Sequence, residues 1–104
     1  MFACQWHIDV PFGKQKEVLD IMKKWDEEMA KANDLPKPKS QRLMVGHIGT
    51  SPSHIINEYV VENISDWEAM LKAVATGRFH TYSDQLGPYI VPGSQHWVIW
   101  KVAG

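Results

Sequence analysis

Histidine is the side chain of this protein best suited to proton transfer and metal binding near neutral pH. The five histidines are His7, His47, His54, His80 and His96. They form no HxH or HxxxH pair, and no cysteine or carboxylate completes the spacing of a metal site. The sequence therefore predicts no metal, with a site assembled from distant segments as the alternative.

His7 is the first candidate for proton transfer. Residues 2–10 alternate between apolar and polar, which is typical of a half-buried strand. Trp6 and Ile8 fall on the apolar side, and Gln5 and His7 share the polar side. We predict His7 to be a general base next to a ligand that Gln5 helps to bind. The alternative is a hydrogen-bonded histidine in a subunit interface.

His80 and Tyr82 follow Gly77, which ends the second predicted helix. We predict His80 to act as an acid and Tyr82 to orient a ligand. If this segment folds over the end of the sheet, both residues border one cavity with Gln5 and His7. The alternative for His80 is a surface position on a short helix.

Glu58 and Trp97 are the remaining candidates for ligand binding. A carboxylate in the middle of a strand is costly to bury unless it is paired, so Glu58 is either a ligand contact or part of a salt bridge. Trp97 and Trp100 point to opposite faces of the last strand, so one of them must leave the core. That residue is expected in a pocket wall or a dimer contact.

The order of the predicted elements determines how these side chains are positioned. Strands are predicted over 2–10, 42–49, 54–62 and 95–102, and helices over 14–32, 65–77 and 79–86. The order βαββαβ is that of the ferredoxin-like plan, a four-stranded antiparallel sheet with two main helices on one face. The other face must meet water, a ligand or another subunit.

Composition limits the class of protein. A chain of 104 residues predicts a single domain over 1–104, and 44% hydrophobic with 22% charged residues is ordinary globular composition. The formal net charge of −1 argues against nucleic acid as a partner. The single cysteine forms no internal disulfide, and the apolar runs are too short to span a bilayer. We expect a soluble, cytoplasmic protein that is not bound to a membrane.

Three stretches of the second half resemble the dimeric α/β-barrel superfamily, within it the NIPSNAP-like and antibiotic-biosynthesis-monooxygenase-like small proteins. They are Glu62-Asn63-Ile64-Ser65-Asp66-Trp67-Glu68, Arg78-Phe79-His80-Thr81-Tyr82 and Leu86-Gly87-Pro88-Tyr89-Ile90-Val91-Pro92-Gly93-Ser94. The resemblance implies a homodimer with sheets packed face to face and a small pocket between each sheet and its helices. The superfamily includes cofactor-free oxygenases acting on phenols, haem-degrading enzymes and lactone isomerases.

The resemblance implies a function but does not select one. We predict a protein that binds a small apolar or aromatic compound, as a cofactor-free oxygenase or isomerase. The alternative is a non-catalytic ligand-binding or interaction domain. Trp67 and His80 lie where haem-degrading relatives carry a tryptophan and an axial histidine. However, Gln5 replaces their asparagine and the spacing from Trp67 to His80 is long, so no cofactor is predicted.

Overall fold

The computed structural model describes residues 1–104 and has the predicted order of elements. The strands are β1 (Phe2–Asp9), β2 (Ser40–Val45), β3 (His54–Val61) and β4 (His96–Lys101). The helices are α1 (Gln15–Lys31), α2 (Ile64–Ala75) and α3 (His80–Leu86), and a 3₁₀ turn follows at Gly87–Tyr89. The ferredoxin-like βαββαβ fold is thereby confirmed.

The four strands form one antiparallel sheet in the order β2-β3-β1-β4. β1 is central and pairs Gln5 with Glu58 of β3, and His7 with His96 of β4. Directly paired residues point to the same face of a sheet. The register therefore fixes which distant side chains meet.

The hydrophobic core lies between one face of the sheet and the helices. Ile8 of β1 and Ile55 of β3 are fully buried there, against Val18 and Met22 of α1 and Leu86 of α3. Trp6 packs on the same cluster, which confirms that the Trp6 side of β1 faces the helices. We call the opposite side the open face.

The segment after α2 reaches α1 through a sharp turn. Gly77 and Phe79 both have positive φ, 91° and 63°, which reverses the chain between α2 and α3. Arg78 in this turn pairs with Asp34, in the connection after α1, at 2.6 Å. No helix is long and apolar enough to cross a membrane.

Candidate functional site

A cavity of about 180 Å³ lies between the sheet and helices α1 and α2. Ten of its twelve lining residues are hydrophobic, and four of the five tryptophans are among them. The lining residues are Trp6, Met22, Trp25, Met29, Asn57, Tyr59, Trp67, Met70, Leu71, Val74, Gln95 and Trp97. An apolar, aromatic wall with a few polar groups is the usual composition of a small-molecule site.

The tryptophans form one continuous aromatic wall. Trp6 stacks on Trp97 with ring centroids 6.4 Å apart, and Trp67 meets the edge of Trp97 at 5.4 Å. Trp25 meets the edge of Trp6 at 6.5 Å and stacks on Tyr82 of α3 at 6.3 Å. These separations are typical of favourable aromatic pairs, so the residues support one another around the cavity.

Two donors in this wall are unpaired. The indole N–H groups of Trp25 and Trp67 are buried and have no hydrogen-bond partner. A buried polar group without a partner costs about 1–3 kcal/mol, and such groups are uncommon. The packing around the cavity therefore leaves two buried indole donors without a partner.

A polar cluster closes the cavity on the side of β3 and α1. The Tyr59 hydroxyl donates to Asp26 Oδ1 at 2.5 Å, and Asn57 Nδ2 donates to Tyr59 Oη at 2.9 Å. Asn57 Nδ2 also lies 3.1 Å from Asp26 Oδ2. Gln41 Nε2 of β2 donates to Asp26 Oδ2 at 2.7 Å and to Asn57 Oδ1 at 2.8 Å. Each member thus has a partner, as a stable buried polar network requires.

Burial controls the acidity of this cluster. Burial raises the pKa of the Asp26 carboxyl, and hydrogen bonds from Tyr59 and Asn57 only partly offset that effect. Burial together with the charge and hydrogen bond of Asp26 raises the pKa of Tyr59 well above its ordinary value. Tyr59 is consequently a neutral donor, and Asp26 is a carboxyl that holds a proton more readily than usual.

Gln5, His7 and Glu58 meet on the open face. Gln5 Nε2 donates to Glu58 Oε2 at 2.8 Å, and Gln5 Oε1 lies 3.1 Å from His7 Nε2. Arg42 Nε donates to Glu58 Oε1 at 2.8 Å, and Trp100 Nε1 donates to Gln5 Oε1 at 3.2 Å. The predicted grouping of Gln5 with His7 on this face is confirmed, and Glu58 has both a hydrogen bond and an ion pair.

Glu58 is only 5% exposed, yet its acidity differs from that of Asp26. Burial acts to raise the pKa of the Glu58 carboxyl, but hydrogen bonds from Gln5 and Arg42 and the Arg42 charge outweigh it. The net result is a lowered pKa. Glu58 is thus a fixed negative charge.

Three histidines from three strands cluster on the open face. His7 Nδ1 lies 2.8 Å from His54 Nε2, His54 Nδ1 lies 2.7 Å from Asp9 Oδ1, and the His7 ring stacks on His96 at 4.9 Å. His7 Nε2 must donate, because Gln5 Oε1 is an acceptor. The contact between His7 Nδ1 and His54 Nε2 needs one hydrogen, and the tautomers of the two rings decide which of them donates it. Burial, then repulsion from His54 and His96, lowers the pKa of His7.

No group of histidine, cysteine or acidic side chains is arranged to hold a metal ion.

The other predicted residues lie away from His7. Trp97 lines the cavity on the helix side of the sheet, and Tyr82 reaches that side through its stacking on Trp25. His80 is exposed at the start of α3. Within one subunit, His7 and Gln5 lie on the open face, because side chains of β1 alternate between faces, whereas Tyr82 of α3 lies on the helix side. The four residues expected to line one cavity therefore do not do so within a single subunit. The catalytic and binding roles of these residues stay predictions.

Sequence reasoning missed the polar cluster in the cavity wall. Asp26 lies four residues after Met22 and three before Met29, on the apolar stripe of α1, and a carboxylate there was the available signal. Asn57 and Tyr59 alternate with Glu58, so they share the helix-facing side of β3 with buried Ile55. Glu58, the mid-strand carboxylate singled out from the sequence, lies on the opposite face of β3 from this cavity, and its binding role stays a prediction.

Comparison with known sequences identifies no relative. No protein-family model matches the chain, and no curated protein matches it.

Comparison with solved structures does identify similar folds. An uncharacterized NIPSNAP domain protein from Burkholderia xenovorans superposes with a TM-score of 0.71 at 17% identity, over 99% of this chain and 95% of that one. An antibiotic biosynthesis monooxygenase gives 0.65 at 13% identity over 100% of both chains. A variant of MhuD with two manganese protoporphyrin IX molecules per active site gives 0.69 at 15% identity, over 98% and 94%. These matches confirm that the chain has the ferredoxin-like fold of the dimeric α/β-barrel proteins, the fold shared by these monooxygenase, NIPSNAP and MhuD structures.

Proposed function

We propose that the cavity on the helix side of the sheet binds a small aromatic molecule that carries a hydroxyl or carbonyl oxygen. The observation that supports this most strongly is the tryptophan-rich wall with one polar corner, formed by Asn57 and Tyr59. An engineered apolar cavity of about 150 Å³ binds benzene, so a volume of about 180 Å³ suits a ligand of one ring with small substituents.

The polar groups indicate how the ligand is oriented. An oxygen acceptor on the ligand would satisfy the unpaired N–H groups of Trp25 and Trp67 after a small adjustment of their rings. A ligand hydroxyl would donate to Tyr59 Oη, because a tyrosine oxygen that already donates once and accepts once has one lone pair left.

The chemistry that this corner supports is removal of a proton from a phenol or enol. Tyr59 is hydrogen-bonded to a carboxyl with a raised pKa, which is the arrangement of a general base. The resulting phenolate is rich in electrons and is the form that reacts with oxygen or isomerises without a cofactor. We therefore favour a cofactor-independent oxygenase or isomerase. The similarity to an antibiotic biosynthesis monooxygenase fold is consistent with this choice.

Haem does not fit this cavity. No histidine or cysteine lines it, and His80 is exposed outside it. The hydroxyl of Tyr59 is already hydrogen-bonded to Asp26 and Asn57, and the three lining methionines would need a histidine as the second axial ligand. The volume is close to that needed for a single ring, whereas a porphyrin contains four pyrrole rings. The porphyrin bound by the MhuD variant is thus not carried over to this chain.

The second candidate function is binding without turnover. Every member of the polar cluster has a hydrogen-bond partner within the protein, as expected of a structural network. The two functions differ in a measurable way: a binder stabilises the protein against heat in the presence of ligand but consumes neither ligand nor oxygen.

We further propose that the open face forms a homodimer, as the fold class implies. Trp100 is 59% exposed there, and Ile56 and Val60 flank the buried Glu58. Packing two such faces together would cover Trp100 and enclose the His7–His54 pair. In that dimer His7 would be the predicted interface histidine, and light scattering at micromolar concentration should give twice the monomer mass of 11.9 kDa.

The experiment that tests the proposed function uses one-ring phenols, with 4-nitrophenol as the coloured probe. Calorimetry should show one molecule bound per subunit, and Tyr59→Phe should weaken binding, since it removes the hydroxyl. Oxygen consumption or product formation then separates the enzyme from the binder. A His7→Ala, His80→Ala double variant tests the predicted roles of those histidines. Failure of phenol, catechol and 4-nitrophenol to bind at millimolar concentration would contradict the proposal.

A further inference from the structure

We propose that Asp26 is a proton relay residue that connects the ligand cavity to solvent by a route separate from the ligand entrance. This inference rests on the proposed function, because it assigns a path for the proton that the ligand loses. It is carried by the arrangement of three neighbouring spaces in the structure.

Each of the three spaces shares a lining residue with the next one. Tyr59 lines the main cavity and also a second cavity of about 80 Å³ under the connection between α1 and β2. Asp26 lines this second cavity and an outer groove, but it does not line the main cavity. A water molecule needs about 10–15 Å³, so the second cavity has room for water beside both groups.

The groove and Gln95, an exposed lining residue of the main cavity, lie toward opposite edges of the sheet. The groove borders β2 and is lined by the exposed residues Lys23, Glu27 and Arg42. The exposed lining residues of the main cavity include Leu71 and Gln95, and Gln95 immediately precedes β4 at the other edge. A proton can therefore leave through Asp26 while a ligand occupies the cavity.

The transfer conserves protons and breaks no bond to carbon. The ligand hydroxyl gives its proton to Tyr59 Oη as Tyr59 gives its own proton to the Asp26 carboxylate over 2.5 Å. The products are a phenolate, a neutral tyrosine and a protonated Asp26, so the total charge of the site is unchanged. Asp26 then loses the proton to water in the groove, and the carboxylate is restored.

The groups around Asp26 allow its carboxylate to bind a proton and then release it. Its hydrogen-bond partners, Tyr59, Asn57 and Gln41, are all neutral, and it forms no ion pair. The charged groups that face it are Lys23 and Glu27 of α1, Lys37 of the connection after α1, and Arg42 of β2. Burial raises the pKa of Asp26, which favours transient protonation.

A measurement without ligand tests the relay first. We expect the ¹³Cγ resonance of Asp26 to titrate above the ordinary aspartate range of about 4, and the ¹³Cζ resonance of Tyr59 to move with the same midpoint. Gln41→Ala should raise that midpoint, because it removes a donor to the carboxylate. Glu27→Gln removes a charge from the groove without touching the cluster and should move it far less. An ordinary Asp26 titration with no response at Tyr59 would overturn the inference.

A measurement with 4-nitrophenol tests the direction of transfer. One pH unit above the midpoint of the free probe, binding to wild type should take up about one proton per probe, because a phenolate and the Asp26 carboxylate cannot both stay charged in the buried site. In Asp26→Asn, compared at equal saturation, this uptake should fall to near zero, because no carboxylate remains to share a proton with the phenolate. Glu27→Gln should behave as wild type does.

Equal proton uptake on binding by wild type and Asp26→Asn would overturn the relay and leave the binding site intact. Absence of binding by every one-ring phenol would instead contradict the proposed function, and the titration without ligand would still decide whether Asp26 and Tyr59 share a proton.

Discussion

Two carboxyl groups lie on opposite faces of β3, Asp26 of α1 against the helix-side face and Glu58 of β3 itself on the open face, and their pKa values shift in opposite directions. On the helix side, Asp26 is surrounded by neutral donors, and burial raises its pKa. On the open face, hydrogen bonds from Gln5 and Arg42 and the Arg42 charge keep the pKa of Glu58 below the ordinary value. The partners outweigh burial at Glu58, whereas burial outweighs the partners at Asp26. A partner with a fixed positive charge favours the ionised form of a carboxyl group, whereas neutral partners leave the group able to exchange a proton.

The largest expected effect concerns the helix-side network. Asn57 is 4% exposed and connects three partners, so Asn57→Leu leaves Asp26, Tyr59 and Gln41 each without one hydrogen bond. We expect a loss of about 3 kcal/mol in the free energy of unfolding, measured by urea denaturation. A loss below about 1 kcal/mol would show that the cluster is loosely held.

The matched substitution on the open face should cost less. Arg42→Met removes the cation next to Glu58, but the Arg42 side chain is 66% exposed, so solvent screens the pair. We expect a loss of about 1 kcal/mol by the same measurement. If Arg42→Met is as damaging as Asn57→Leu, the contrast between the two faces is wrong.

The dependence of stability on pH should differ in sign between the two carboxyls. Asp26 has a raised pKa in the folded state, so the folded state binds more protons and stability falls as pH rises from about 4 through the folded pKa. Glu58 has a lowered pKa, so its contribution is present above about 4.3 and is lost as pH falls through the folded value. Thermal unfolding of Asp26→Asn should lack the first trend, and that of Glu58→Gln the second.

A smaller effect is expected from His7. Its lowered pKa means that the unfolded chain binds protons more readily, so stability should decrease as pH falls below about 6.5. His7→Asn should reduce this decrease, as followed by the melting temperature at several pH values. An unchanged decrease would assign it to other groups.

The fold and the assignment of β1 side chains to the two faces of the sheet were predictable from local patterns. Alternation in β1 correctly placed Gln5 and His7 opposite Trp6, and the helix stripe through Met22 and Trp25 correctly required an apolar sheet face. β2 was predicted at 42–49 but spans Ser40–Val45, because pairing with β3 stops at Val45–Ile55 and a longer loop follows.

The candidate cavity was less predictable because it depends on packing between distant elements. Asp26 and Tyr59 are 33 residues apart and meet only when α1 crosses β3. His7, His54 and His96 show no common spacing in sequence, and they meet through the strand register. Contacts of this kind follow from tertiary structure and not from the periodicity of a single segment.

The most direct test of the central claim, that the ligand site is the aromatic cavity on the helix side, is titration of 4-nitrophenol into three proteins. They are wild type, Val74→Phe, which fills the cavity, and Trp100→Ala, which alters only the open face. With folding verified by melting temperature, we predict that Val74→Phe weakens binding at least about tenfold, equivalent to 1.4 kcal/mol, and that Trp100→Ala binds as wild type does. Unchanged binding by Val74→Phe together with lost binding by Trp100→Ala would contradict the account and place the ligand on the open face.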